Sequence, residues 1–349
     1  MKIAVLAGGI STERNVSLVS GKKISNALRQ KGHHVALIDS FLGMDQIPED
    51  LTTLFSSQIV DYDIDIDTTV LTEQDIRKLR PDDDGSFFGP NVIKILRAAD
   101  FVFLALHGGA GEDGKVQAFL DLYNIKYTGS DSFGAGIAMN KATTKEILKY
   151  NGIPTADFVL IRKGEEVPTE FPFDFPVVVK PANGGSSVGT VIAQDYETAK
   201  KAINDNFVFD NLIIVEQFIK GREFSQGVVG NHALPAIEIT VNDGWYDFEH
   251  KFKTGNTTVF TTPPKDFSSE LQRQMDELSI KTGHKLSLMN YYRLDYLLNE
   301  DGFYIIEANV LPGLTPLSLM PQEAEAEGIS YPDLIEMILN EKIRIYNEN

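Results

Sequence analysis

The chain has 349 residues, too many for one compact core, so two or three domains are expected, and its apolar (42%) and charged (23%) fractions are ordinary for a globular protein. With 32 Lys and Arg against 50 Asp and Glu, the net charge of −18 argues against nucleic acid and anionic membrane surfaces as partners, because both require a basic face. The absence of Cys excludes disulfides and thiolate chemistry.

The start of the chain, MKIAVLAGG, does not have the pattern of a targeting signal. Its apolar run is short and breaks at Gly8, and no small-residue cleavage site follows. No apolar run elsewhere approaches the ~20 residues that span a bilayer. We therefore expect a cytoplasmic protein.

Strands and helices alternate over the first third of the chain. Short continuous apolar runs at 2–7 and 101–106 are typical of buried strands in a parallel sheet. Helical spacing covers 16–31, and another strand follows at 35–39. This order predicts a doubly wound parallel sheet in a first domain, 1–130. The other predictions for this part are one or two strands with a surface loop in the acidic segment 40–90, and a helix at 116–123.

The remainder of the chain is predicted to form two α+β domains. The central domain, 131–217, is small and hairpin-like, and the C-terminal domain, 218–349, opens with strands that form a mixed or antiparallel sheet and closes with helices. The predicted strands of the central domain are 158–161, 177–180, 188–193 and 212–217. The predicted helices are 141–150, 196–206, 269–282 and a group near 323–345.

A glycine- and serine-rich loop, PVVVKPANGGSSVG at 176–189, follows a predicted strand. Gly184 and Gly185 let backbone amides approach a ligand closely, the two following serines add hydroxyl donors, and Lys180 adds a positive charge. Donors clustered this densely suit phosphate. The motif is not a P-loop, because its Lys precedes the glycines and a strand follows instead of a helix. An ordinary hairpin turn is the alternative.

A second constellation is the hairpin signal NEDG between two apolar strands in YRLDYLLNEDGFYIIEANVLPG. A three-residue loop ending at Gly302 sets Asn299 opposite Phe303 and Asp295 opposite Glu307. Two carboxylates in that position repel each other, and a divalent cation between them removes the conflict. Hard oxygen ligands of this kind suit Mg²⁺ shared with substrate phosphates. A loop of two or four residues would put the carboxylates on opposite faces, and a solvated sheet face is the other alternative.

Three more motifs follow predicted strands. The loops AGGISTERNVS at 7–17 and HGGAGEDG at 107–114 carry acids at strand ends, where open parallel sheets bind ligands, and acids there fit an ammonium-bearing substrate. Their glycines do not form GxGxxG, so a dinucleotide site is unsupported. In VEQFIKGREF at 215–224, a strand edge enters a bend and can offer backbone groups to an adenine. Helix-start loops and surface charges are the alternatives.

Taken together, these motifs resemble an ATP-grasp ligase, and closely the D-alanine–D-alanine ligase family. The matching segments cover nearly the whole chain in order: GGISTERNVS, HGGAGEDG, YTGS, MNK, VVVKPANGGSSVG, EQFIKGREF, the region of residue 251, RLDYLL and IIEANVLPGLTPLSLMP. The resemblance implies ATP-dependent joining of two D-alanines through D-alanyl phosphate, for peptidoglycan precursor synthesis. It also implies ATP and two Mg²⁺ ions (with Mn²⁺ able to substitute), small molecules as the partners, and a homodimer.

The resemblance further implies a role for each matching residue. Glu13 would bind the ammonium group of the first D-alanine. Arg293 and the Gly313 backbone would polarise the acyl oxygen, and Ser186 and Ser318 complete the catalytic set. The residues implied to bind ATP are Lys141, Lys180, Ser187, Glu216, Gln217, Phe218, Ile219, Glu223 and Lys251. Those implied to hold Mg²⁺ are Asp295, Glu307 and Asn309, and those implied to set substrate specificity are His107, Phe252 and Leu319.

One position departs from the family pattern. The family usually has Tyr directly after the Lys251 equivalent, where its hydroxyl links Ser186 and Glu13, whereas this chain has Phe252. Phe at this place is associated with relatives that accept D-lactate, so a D-alanine–D-lactate (depsipeptide) ligase is the alternative function. The polar segment 248–262 is the expected lid. A nucleotide-binding regulator without turnover is a third hypothesis, which the intact charged residues disfavour.

Overall fold

The computed structural model of the chain describes residues 1–62, 71–185, 187–241 and 258–348. Within these ranges the strands form three sheets of three, four and six strands. The first sheet is parallel and the other two are antiparallel. The predicted α/β fold class is therefore confirmed.

The strands and helices of the described ranges are numbered here in chain order. The strands are β1 (Lys2–Ala7), β2 (His34–Asp39), β3 (Phe101–Leu104), β4 (Phe158–Arg162), β5 (Val177–Pro181), β6 (Val191–Ala193), β7 (Leu212–Gln217), β8 (Arg222–Val229), β9 (His232–Ala233), β10 (Ile237–Thr240), β11 (Val259–Thr261), β12 (Tyr291–Asn299) and β13 (Gly302–Asn309). The helices are α1 (Arg14–Gln30), α2 (Glu73–Arg77), α3 (Val92–Ala98), α4 (Lys115–Leu122), α5 (Ser132–Met139), α6 (Lys141–Tyr150), α7 (Tyr196–Asn206), α8 (Ser269–Lys285), α9 (Leu319–Ala326) and α10 (Tyr331–Glu348). None of these helices is both long enough and apolar enough to cross a membrane.

The first sheet has the strand order β2-β1-β3, with α1 connecting β1 to β2. Helix α1 packs closely on the sheet at Gly21, where a Cβ atom would lie only 2.6 Å from the Cβ of Ala7. Because β1 and β3 are parallel neighbours, their carboxyl ends lie side by side. The two acidic loops that follow these strands, 7–17 and 107–114, are therefore adjacent.

The second sheet has the order β4-β7-β5-β6 and a small core of its own. Nine buried apolar residues form that core, with α7 packed on β5 and β6. The Asp195 side chain caps α7 by accepting a hydrogen bond from the Thr198 amide, 2.8 Å away. The predicted hairpin-like arrangement of this part of the chain is confirmed.

The third sheet has the order β11-β10-β8-β12-β13, with β9 paired to β8. Helices α8 and α9 pack against β8, and α10 packs along α1 of the first sheet. One continuous hydrophobic cluster consequently includes residues of both the first and the third sheets, from Ile3 to Leu339. The second sheet's core lies outside that cluster.

Some predicted elements were wrong. The strand predicted at 188–193 is shortened to Val191–Ala193, because Gly189 adopts a positive φ of 76° and the Thr190 amide bonds back to the Ser187 carbonyl. No strand forms in the described residues of 40–90, where Ser56 makes only an isolated bridge. Helices α2, α3 and α5 were not predicted, and α9 and α10 extend beyond the predicted 323–345 at both ends.

Candidate active site

A cleft of about 470 Å³ lies between the second and third sheets. Strands β5 and β7 line one side, strands β8, β10, β12 and β13 line the other, and residues 218–221 join the two walls. Many predicted site residues come together here. They are Lys141, Lys180, Ser187, Glu216, Gln217, Phe218, Ile219, Glu223, Arg293, Asp295, Glu307 and Leu319.

The wall formed by the second sheet contains a buried carboxylate between two ammonium groups. Lys180 on β5 donates to Oε1 of Glu216 on β7 at 2.6 Å, and the Nζ of Lys145 on α6 lies 2.9 Å from Oε2. Burial opposes ionisation of Glu216, but the charges of Lys180 and Lys145 overcome it and lower the pKa of Glu216 to about 2. The three groups therefore form a fixed ionic cluster with a net positive charge.

Lys145 was missed in the sequence. It is 1% exposed, donates to the Thr155 hydroxyl at 2.7 Å, and burial lowers its pKa although Glu216 opposes the shift. The signal was available, because Lys145 stands four residues after Lys141, a spacing that puts two side chains on one helix face. This spacing suggests Lys145 as a candidate site residue, but it does not distinguish a buried Lys from a solvated one.

The glycine- and serine-rich loop lies at the mouth of the cleft beside Lys141. Lys141 is the first residue of α6, and its ammonium group donates to the Gly184 carbonyl at 2.5 Å and lies 3.4 Å from Oε2 of Glu307. Gly184 has a φ of 117°, a conformation that favours glycine. Lys141 thus links the glycine- and serine-rich loop, which suits phosphate, to Glu307 on the opposite wall, which suits cations.

The hairpin β12–β13 places the two predicted metal-binding carboxylates opposite each other. Asp295 pairs with Glu307, as predicted, but the predicted loop was wrong: Asn299 pairs with Gly302 and not with Phe303. A two-residue loop alone would have put the carboxylates on opposite faces. A β-bulge between Asp295 and Tyr296 shifts the register by one residue and restores the pairing.

Among the described residues, four side-chain hydrogen bonds hold Asp295. Arg293 donates Nε to Oδ1 and a terminal nitrogen to Oδ2, both at 2.9 Å. Ser225 donates to Oδ1 at 2.9 Å and the Asn309 amide nitrogen to Oδ2 at 3.1 Å. Burial opposes the charge of Arg293, but Asp295 and Glu307 raise the pKa of Arg293 above its ordinary value. The guanidinium group is thus held rigidly at the cleft.

The oxygen atoms of Asp295, Glu307 and Asn309 fit a divalent cation if the side-chain amide of Asn309 rotates. Within the described ranges no three His, Cys, Asp or Glu side chains are grouped as a metal site, and the predicted set contains only two carboxylates with Asn309. The four hydrogen bonds to Asp295 use its lone pairs. A half-turn of the Asn309 amide would release one lone pair of Oδ2 and bring a carbonyl oxygen to the same place. Carboxylate and amide oxygens are the donors that Mg²⁺ prefers.

The acidic loops of the first sheet meet the C-terminal part of the chain at His107. This buried side chain contacts the Ser20 hydroxyl through Nε2 at 3.0 Å and the Leu311 carbonyl through Nδ1 at 3.1 Å. Burial disfavours its protonation, but Glu112 and then Glu13 raise the pKa of His107. Glu13 Oε2 lies against Gly108, where a Cβ atom would be 2.9 Å away. A second polar site therefore forms where the first sheet meets the segment after β13.

The segment after β13 leads from that site to helix α9. The Ser318 hydroxyl accepts a hydrogen bond from the Thr315 amide at 3.2 Å and is hydrogen-bonded to the Thr315 hydroxyl at 2.8 Å. A Cβ atom at Gly313 would lie 2.9 Å from the Ser318 hydroxyl. Leu319 packs with Ile237 and Ile239 at the cleft. The predicted second-substrate residues are thus held by a tight turn at the start of α9.

Three predicted site residues and most of the expected lid lie outside the described residues. They are Ser186, Lys251 and Phe252, and in the lid segment 248–262 only residues from 258 onwards are described. The roles assigned to them stay predictions.

Family profiles match both parts of the chain. The profile described as D-ala D-ala ligase N-terminus matches residues 2–130, and that described as D-ala D-ala ligase C-terminus matches residues 147–340. The chain is similar to a D-alanine–D-alanine ligase of Pediococcus pentosaceus, with 55% identity over 100% of this chain and 99% of the relative. It is also similar to one of Lacticaseibacillus casei, with 52% identity over 99% and 97%.

A solved structure resembles the whole chain. It is a D-alanine–D-alanine ligase from Bacillus anthracis complexed with ATP, with a TM-score of 0.76, 27% identity, and coverage of 100% of this chain and 99% of that one. The names of these relatives do not favour the depsipeptide alternative.

Proposed function

The chain belongs to the D-alanine–D-alanine ligase family, and we propose that it uses ATP to join two molecules of D-alanine. The observation that carries the proposal is the convergence of Lys141, Lys180, Arg293 and the Asp295–Glu307 pair at one cleft between two antiparallel sheets. Two lysines on one side, and paired carboxylates with an arginine on the other, suit a polyphosphate and its counter-ions. The product would serve peptidoglycan precursor synthesis.

ATP is proposed to occupy the cleft along both walls. Lys141 and Lys180 hold its phosphates, together with Lys251 and with donors of the glycine- and serine-rich loop that include Ser187. The backbone at 216–219 meets the adenine where β7 leaves its sheet, and Glu223 binds the ribose. The similar Bacillus anthracis ligase was solved with ATP, which supports this placement. Glu216 acts through its side chain by holding Lys180 in place, at 2.6 Å.

Two Mg²⁺ ions are proposed at Asp295, Glu307 and Asn309, with Mn²⁺ able to replace them. When bound, these ions supply charge neutralisation for the phosphates of ATP. The protein's own contribution is to hold two carboxylates opposite each other on neighbouring strands. The register shift at the bulge is what puts both on one face, and a single-residue slip would remove the site.

The reaction follows in two steps. The carboxylate of the first D-alanine, held through its ammonium group by Glu13, attacks the γ-phosphorus of ATP. The bond from that phosphorus to the bridging oxygen breaks, and ADP leaves. The free amine of the second D-alanine then attacks the acyl carbon of D-alanyl phosphate, phosphate leaves, and the nitrogen loses a proton. Arg293 and the Gly313 amide stabilise the negative charge that develops on the acyl oxygen.

The remaining assignments surround this chemistry. Ser318 and Leu319 meet the second substrate, with Ser186 between the two substrates, and His107 fixes the first-sheet loops against Leu311. The segment 248–262 is proposed as the lid that excludes water from the acyl phosphate, which water would hydrolyse. The enzyme is proposed to act in the cytoplasm, where ATP is supplied, and as a homodimer, which sedimentation analysis tests.

The chain is proposed to divide into domains 1–130, 131–217 and 218–349. The three sheets lie within these ranges, and the second sheet has a separate core, which support the division. Limited proteolysis should release the central part first, because its core is the smallest.

The proposed function is tested by incubating the protein with ATP, Mg²⁺ and D-alanine. We expect phosphate and the dipeptide in equal amounts, and no phosphate release would contradict the proposal. A parallel reaction with D-alanine and D-lactate measures the ester product directly. Dominant ester formation near neutral pH would contradict dipeptide synthesis as the main activity and would point to Phe252, for which Phe252→Tyr is the matched variant.

A further inference from the structure

Helix α9 contains a carboxyl group that the proposed reaction does not use. Glu323 is 0% exposed and lies in the second turn of α9, four residues after Leu319. Residues four apart share one face of a helix. Leu319 packs with Ile237 and Ile239 of β10, so Glu323 continues the same buried face toward the neighbouring strand β8. Glu323 thus lies about one helical turn beyond Ser318 and Leu319, the residues proposed to meet the second substrate.

The partner of Glu323 on strand β8 is a glycine. Its Oε2 accepts a hydrogen bond from the backbone amide of Gly227 at 2.6 Å. Gly227 pairs with Arg293 across the β8–β12 ladder. A Cβ atom at 227 would lie 2.8 Å from both Glu323 Oε2 and Met320 Cγ. Only glycine at this position lets α9 approach the strand this closely, and the carboxyl group occupies the space it leaves.

The surroundings of Glu323 favour its neutral form. The other carboxyl oxygen, Oε1, is enclosed and has no hydrogen-bond partner among the residues the structure describes. An ionised oxygen in that position would be strongly unfavourable. Burial raises the pKa of Glu323 to about 8, although the Gly227 amide and Arg293 oppose the shift. A neutral acid holds the amide without placing a further negative charge near Asp295.

We propose that Glu323 is a positioning residue for the second substrate. By tying α9 to Gly227 beside Arg293, it sets the position of Ser318 and Leu319 at the acceptor side of the cleft. Glu323 acts through these residues and does not touch the reacting atoms. The inference rests on the proposed function, because it needs an acyl phosphate that is captured by a second D-alanine.

The test lets two acceptors compete for the same D-alanyl phosphate. Hydroxylamine is small and captures the intermediate as a hydroxamate without using the second-substrate residues, whereas D-alanine requires them. Glu323→Met keeps a similar volume and removes the hydrogen-bond acceptor. We expect this variant to shift the ratio of hydroxamate to dipeptide at least ~10-fold toward hydroxamate. Glu323→Gln keeps an acceptor oxygen and should leave the ratio within ~2-fold of the unmodified protein.

The product ratio separates positioning from stability. Glu325→Met is the matched control, because it makes the same substitution on the exposed side of the same helix and should leave the ratio unchanged. An unchanged ratio in folded Glu323→Met would overturn the inference, as would an equal decline of both products together with a lower Tm. If the Met variant does not fold, Glu323→Asp, which keeps the acid and shortens the tie, must shift the ratio in the same direction. Absence of hydroxamate and dipeptide from the unmodified protein would contradict the proposed function instead.

Discussion

The two walls of the cleft hold their charged groups in different ways. At the second-sheet wall, Lys180 and Glu216 of the strands and Lys145 of α6 bond chiefly to one another, beside a core of nine buried apolar residues. In the third sheet, Arg293 and Asp295 belong to a wall built on the main hydrophobic cluster, and hydroxyl and amide groups also hold Asp295. The comparison indicates that the second sheet depends on its charges for stability, whereas the third sheet can lose a charge and stay folded.

The largest effect on activity is expected at the third sheet. Asp295→Asn removes the charge that fixes Arg293 through two hydrogen bonds, so kcat should fall by ~10²–10³-fold, as for loss of a group that orients charge stabilisation. Steady-state kinetics measure this loss. A loss in the free energy of unfolding as large as that expected below for Glu216→Gln would contradict the difference between the walls.

The largest effect on stability is expected at the second sheet. Glu216→Gln leaves Lys180 and Lys145 buried without a counter-charge, and the free energy of unfolding should fall by ~3–5 kcal/mol. Urea unfolding measures the change. The control is Asp157→Asn, which breaks an exposed ion pair with Lys149 and should alter stability by less than ~1 kcal/mol.

The unmodified protein and Glu216→Gln should also differ in how their stability depends on pH. The pKa of Glu216 is lowered from 4.5 to about 2 in the folded protein, so its ionisation stabilises the fold above pH 4.5, and that contribution is lost as the pH falls through about 2. The stability advantage over Glu216→Gln should therefore shrink between pH 4.5 and 2. A constant difference over that range would show that the ionic cluster does not form in solution.

A smaller loss of stability is expected where the second-sheet charges connect to the rest of the molecule. The Thr155 hydroxyl accepts from Lys145 at 2.7 Å and donates to the Ile305 carbonyl at 2.9 Å. Thr155→Val removes both of these hydrogen bonds and should lower the free energy of unfolding by ~1–3 kcal/mol. Thermal unfolding measures it, with exposed Thr53→Val as the control. Equal effects in the two variants would argue against a structural link at Thr155.

The smallest change in activity is expected for Glu323→Gln, which alters the pH dependence of stability. Burial raises the pKa of Glu323 from 4.5 to about 8, with Arg293 and Asp295 as the neighbouring charges. The folded state therefore binds a proton that the unfolded state has lost, and the stabilisation present below pH 4.5 is lost as the pH rises through 8. Relative to the Gln variant, the unmodified protein should lose stability between these pH values. Parallel stability curves would contradict a buried neutral acid.

Much of the architecture could be predicted from sequence, for reasons specific to each element. Helices α6 and α7 begin and end where predicted, because apolar spacing and the caps Asn140 and Asp195 agree at their boundaries. The strand predicted at 188–193 failed because its first residues serve the loop instead. The pairing of Asp295 with Glu307 was predicted from the wrong loop length, and a bulge that leaves no clear sequence signal compensated for the error.

The amino-acid sequence by itself determined the order of most strands and helices, the family, and the residue types gathered for phosphate and cation binding, since these depend on local spacing and on motif order. Tertiary structure alone decided which charges are buried together. Lys145 and Glu323 look like surface residues in sequence, yet one completes the ionic cluster around Glu216 and the other ties α9 to Gly227. Their burial depends on contacts between segments far apart in the chain, and local periodicity has no information about such contacts.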